Sequence, residues 1–114
     1  MATGNTLHII NHFEYPITVY VSGDDWNCCD APLQNQKVGY VQPQGTIDLG
    51  YCRKDGHGCN GRQGQFQLEM NSDMTVDLNF DADGNMSEPS SASGCQAAVS
   101  PGPGSSYNLI VYAG

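Results

Sequence analysis

The strongest chemical pattern in the chain is Asn79-x-Asp81-x-Asp83-Gly84-Asn85-Met86. Oxygen-bearing side chains at every second residue, then a glycine that permits a sharp turn, then an apolar residue, are how a loop wraps calcium. Asn79, Asp81, Asp83 and Asn85 are therefore the candidate calcium ligands. Two features depart from an EF-hand: the twelfth position is Ser90 instead of Glu, and residues 76–80 read as strand instead of helix. Asp-Gly and Gly-Asn are also ordinary turn formers after a strand, so a metal-free turn is the competing reading. No motif requires any other cofactor.

A second set of residues could meet a surface. Tyr15, Tyr20, Trp26, Tyr40, Tyr51, Tyr107 and Tyr112 supply rings with an apolar body and a polar tip, suited to lipid headgroups and to sugar stacking alike. In a β-domain most tyrosines are core or cross-strand partners instead. Trp26, the single tryptophan, stands in a polar loop over residues 23–32. Arg53, Lys54 and Arg62 are three of the four basic residues and fall within residues 52–64, with His57 among them. Such a local positive spot can hold phosphate oxygens through charge-assisted hydrogen bonds, or pair with Asp48 and Asp55 close by. The candidate binding residues are Trp26, Tyr40, Tyr51, Arg53, His57 and Arg62.

Catalysis finds no support. There is no nucleophile elbow, P-loop, dinucleotide fingerprint or HExxH. His8 and His12 fall on or near a strand and read as structural. The chain is expected to bind rather than to catalyse.

The elements that must carry these residues are strands. Ile17, Val19 and Val21 alternate with Thr18 and Tyr20, the period of a half-buried strand, and Pro16 marks a turn before it. Residues 37–41 and 46–51 are β-branched or aromatic stretches about a Gln-Pro-Gln-Gly turn. Residues 65–70 and 74–80 alternate cleanly and read as a hairpin across Asn71-Ser72-Asp73. Residues 81–104 are rich in Asp, Gly, Ser and Pro and read as a long loop. Residues 107–112 are apolar at nearly every position and predict a central strand. No segment has helical period, and no internal repeat appears. The fold class is all-β: one β-sandwich domain over residues 1–114, of six to eight short, mostly antiparallel strands.

Four Lys+Arg against twelve Asp+Glu give a net charge of -8, a field that repels nucleic acid and strongly anionic membrane leaflets. Zwitterionic lipid, neutral glycan or a basic protein surface stays open. Five cysteines leave at least one outside any intrachain disulfide unless a metal is bound. The adjacent Cys28 and Cys29 can bond to two different elements, and Cys52 with Cys59 could close a short Gly-rich loop. Reduced, partly buried thiols are the alternative, and no zinc spacing occurs. The first ten residues hold no basic n-region or long apolar run, which implies a cytoplasmic protein or one released without a signal peptide. A secreted domain begun at an added Met would read the same.

Two families share parts of this pattern. Ile9-Ile10-Asn11, Gly39-x-Val41-x-Pro43, Ile47, Cys52-Arg53-x-Asp55, Gly64-x-Phe66-x-Leu68, Phe80-Asp81 and the closing Val111-Tyr112-Ala113-Gly114 resemble the aegerolysins. These are small acidic β-sandwich proteins, and the likeness is spread over about two thirds of the chain. It implies a defence- or toxin-type, hemolytic protein that binds a membrane lipid surface, sphingolipid-rich or bearing ceramide phosphoethanolamine. It also implies action beside a larger pore-forming protein as a two-component cytolysin. Where that family carries a tryptophan-rich run, this chain has Phe80-Asp81-Ala82-Asp83-Gly84. Cys52-x-x-Asp55-Gly56-x-Gly58-Cys59 and Pro103-Gly104-x-x-Tyr107-x-Leu109-x-Val111 resemble the thaumatin-like proteins and their small fungal relatives. That likeness implies a secreted, disulfide-rich, carbohydrate-binding or antifungal protein.

Overall fold

A computed structural model describes residues 4–54 and 63–113. The strands are β1 (Asn5–Asn11), β2 (Ile17–Val21), β3 (Cys29–Ala31), β4 (Lys37–Val41), β5 (Thr46–Arg53), β6 (Gly64–Met70), β7 (Met74–Phe80), β8 (Ser91–Ser93), β9 (Gln96–Pro101) and β10 (Ser106–Tyr112). They form two five-stranded sheets, ordered β3-β5-β1-β10-β9 and β4-β2-β6-β7-β8. All pairings are antiparallel except β1 with β10. The expected β-sandwich is present, and no helix occurs among the described residues.

Alternation sets the layers. β6 and β7 bury Phe66, Leu68, Met70, Met74, Val76, Leu78 and Phe80, and the residues between them face outward. β2 does the same with Ile17, Val19 and Val21. Opposite them, the first sheet turns in Leu7 and Ile9, Leu49 and Tyr51, Leu109 and Val111. One core results, held by the burial of apolar side chains between two sheet faces. β10, expected to be central, lies between β1 and β9, and the residue 65–80 hairpin forms with its turn at residues 71–73.

Ten strands exceed the six to eight expected. β8 and β9 lie inside residues 81–104, where Ser, Gly and Pro hide any strand period. Both are edge strands, and an edge position tolerates such residues because one side needs no partner. β9 ends at Pro101, and Glu88 Oε1 accepts the Val99 N–H at 3.2 Å, so a side chain shields its outer edge from a further strand. β3 is the third addition, a three-residue edge strand in the polar loop near Trp26.

Candidate functional site

Among the described residues, the rings and cations expected on one rim are not brought together. Tyr51 lies in the core, 1% exposed, against Phe80, and its hydroxyl donates to the Gly84 carbonyl at 2.6 Å. Burial raises its phenol pKa above the ordinary value. Arg53 follows on the same inward phase of β5 and is also buried. Both were expected to meet a ligand, but alternation places them on the face that carries Leu49. Trp26 is half-buried against the core, with its indole N–H donated to the Pro32 carbonyl at 2.9 Å. Among the described members of the set, only Tyr40 presents an open ring, 57% exposed on the outer side of the other sheet. His57 and Arg62 lie outside the described residues.

The candidate calcium loop is closed by its own donors. Asp81 Oδ1 accepts the Asp83 and Asn85 N–H groups, both at 2.9 Å, and Oδ2 accepts Asn85 Nδ2 at 3.0 Å. Asn79 points away, donating to Ser90 Oγ at 3.1 Å. Among the described residues no three acidic, His or Cys side chains converge as metal ligands. Residues 81–85 thus fold as a turn directly after β7. Burial acts to raise the Asp81 pKa, but the hydrogen bonds from Asn85, Asp83 and Gly84 together outweigh it and hold it below 3.8. A depressed carboxylate stabilises the fold above its unfolded value and loses that contribution as pH falls through the folded one. Asp81→Asn should therefore melt below the parent at pH 7. The gap should close as pH falls below about 4, and calcium or a chelator should move neither melting curve.

Cys28 is disulfide-bonded, whereas Cys29, Cys52 and Cys95 are thiols; Cys59 lies outside the described residues. Burial pushes the Cys29 thiol up to about 12, and burial with Asp73 nearby raises Cys95. Neither is a nucleophile at neutral pH.

The open chemistry lies on the outer face of the second sheet. Tyr20, between the buried Val19 and Val21, faces out, and Tyr40 pairs with Thr18 on the next strand. Both residues thus lie on the outward side of the second sheet, across a register shift between Val19 and Tyr20. A cleft of about 320 Å³ runs along β2, lined by Tyr20, Ser22, Gly23, Asn35, Glu69 and Ser72, with Val21. Glu69 is there because it sits opposite Tyr20 in the β2–β6 ladder. Asn35 and Ser72 enter from turns, both with φ of 62°. A left-handed serine is uncommon and costs on the order of 1 kcal/mol. Asn71 anchors the turn carrying Ser72, its Oδ1 accepting the Thr18 N–H at 2.9 Å.

No family model and no curated protein matches this chain. Its function is therefore argued from its own surface. Of the cleft residues, only Tyr20 was singled out by sequence. The alternation of β2 was signal enough to turn it outward; Asn35, Glu69 and Ser72 come from distant segments and carried none.

Proposed function

We propose that the domain binds carbohydrate, without catalysis, on the outer face of its second sheet. The observation that carries this reading is the cleft along β2, with the Tyr20 ring on its side and Ser22, Asn35, Glu69 and Ser72 around it. A sugar ring is apolar on its C–H faces and polar at its edges. An exposed tyrosine covers the former, while hydroxyl, amide and carboxylate groups bond the latter. Tyr40 extends the surface beyond the cleft, as a chain of sugars requires. The Cys28 disulfide supports a secreted protein, since such bonds persist in oxidising compartments. Titration of the purified chain with linear oligosaccharides tests the proposal. Tyr20→Ala should weaken binding by about tenfold, or about 1.4 kcal/mol, at unchanged melting temperature. Unchanged affinity in that variant, or no binding to any oligosaccharide, rejects it.

One observation favours a second reading, the membrane-lipid surface of the aegerolysin resemblance. Leu33, 62% exposed, follows Pro32, whose carbonyl holds Trp26, so an apolar tip projects from that loop. Under this reading the chain targets sphingolipid membranes, with a larger pore-forming protein as partner. Leu33→Asp should then abolish sedimentation with sphingomyelin/cholesterol or ceramide-phosphoethanolamine vesicles; no sedimentation of the parent chain ends it.

A further inference from the structure

We infer that the glycan taken by this face carries protonated amines: a chain of amino sugars whose amino groups are free instead of acetylated. The inference rests on the carbohydrate reading of the same cleft and adds the charge class of the ligand. The rings and the cleft make the site; its carboxylates select what enters.

Glu69 lines the cleft directly opposite Tyr20, and its carboxylate has no hydrogen bond or ion pair among the described residues. One outward position back along β6, Gln67 pairs with Asp77 on β7. Gln67 Nε2 donates to Asp77 Oδ1 at 2.6 Å and to Asp25 Oδ2 at 3.1 Å. One neutral amide thus serves two carboxylates, and its two protons are spent without adding positive charge. Glu69 lies beside Tyr20, and Asp77 and Asp25 meet at Gln67, one outward position along the same strand. Lys37, opposite Tyr20 on β4, is the single cation that the described strands bring to this face. The whole chain carries -8.

An anionic glycan, uronic or sulfated, meets repulsion here at every step of approach. To a neutral glycan Glu69 offers only uncharged-donor hydrogen bonds. A protonated amine gains more, a charge-assisted hydrogen bond to Glu69. An amine on the next sugar reaches the field of Asp77 and Asp25. Spacing along a polymer then matches carboxylates spread along a sheet face, which a single small cation could not use.

The test compares a glucosamine hexasaccharide with its fully N-acetylated counterpart, titrated into the native chain at about pH 5.5, well below the pKa of an ordinary amine. The amine form should bind at least about tenfold more tightly, with an advantage that shrinks as salt screens it. Glu69→Gln should bring the two within about threefold by weakening only the amine form, and Lys37→Glu should widen the difference. Tyr20→Ala should weaken both hexasaccharides alike, and a lysine hexapeptide should bind more weakly than the amino hexasaccharide and ignore that substitution. Equal or tighter binding of the acetylated form overturns the charge selectivity and leaves the carbohydrate reading standing. So does an unchanged ratio in Glu69→Gln, or a lysine peptide that binds as well. If neither hexasaccharide binds, this inference falls, and the carbohydrate reading falls with it only when no linear oligosaccharide binds.

Discussion

Asn11→Ala should lower the stability of the fold by about 3–5 kcal/mol, since three groups lose their partner at once, each worth about 1–3 kcal/mol when left unpaired. Asn11 is fully buried at the end of β1. Its Nδ2 donates to the Tyr15 carbonyl at 2.9 Å and the Val41 carbonyl at 3.1 Å, and its Oδ1 accepts the Phe13 N–H at 2.8 Å. Its backbone N–H and carbonyl bond Gly45 and Gln44. One side chain therefore shapes the turn into β2 and fixes the end of β4, the strand that carries Tyr40. Domains of this size are stable by only about 5–15 kcal/mol, so the loss is a large share of the total. In urea the midpoint should fall with little change in slope. Asn11→Asp, which sets a buried carboxylate oxygen against the Tyr15 and Val41 carbonyls, should cost at least as much at neutral pH. A loss below about 1 kcal/mol for the alanine variant would show that water replaces these bonds.

Phe80→Ala should cost a similar amount, about 3–5 kcal/mol, from lost burial and the cavity left behind. The Phe80 ring is fully buried, edge-on to Tyr51 at 4.8 Å between centroids and to Phe66 at 6.0 Å. It lies flat over Gly64, where an added Cβ would come within 2.8 Å of its edge carbons. Glycine is needed there for close approach, because β6 must pass beneath the ring. Gly64→Ala alone should therefore destabilise the fold, yet cost little once Phe80 is already Ala. That coupling is read by a double-mutant cycle in denaturant. Additive losses at the two sites would mean that the ring and the strand do not touch as described.

These effects rest on contacts that the sequence showed only in part. Period-2 alternation made the β6–β7 hairpin and β2 legible, since Phe66, Leu68, Val76 and Leu78 follow it without a break. The unbroken apolar run of β10 marked it as an interior strand. Pairing was not legible. Residues 37–41 and 46–51 look like the arms of a hairpin across Gly45, yet β4 and β5 belong to different sheets. Such a choice depends on partners far along the chain. β8 is three exposed residues, Ser91–Ser93, with nothing to alternate.

The site was legible by half. Extending the alternation of β5 from Leu49 turns Tyr51 and Arg53 inward, and a phased reading of that strand would have removed both from the rim. The same reasoning turns Tyr20 outward. Composition drew attention to Arg53 and to the Asp81 loop because charge and spacing are visible one segment at a time. A cleft assembled from a strand, a neighbouring strand and two turns is visible only once register is known.

The most direct test of the binding surface is to map where ligand touches it. Backbone amide NMR shifts of the native chain, followed through titration with the glucosamine hexasaccharide, should move first at Tyr20, Ser22, Asn35, Glu69 and Ser72, with Tyr40 alongside. Shifts confined to the loop of Trp26 and Leu33, or to the outward face of the first sheet around His8 and Asp48, would contradict a sugar-binding face on the second.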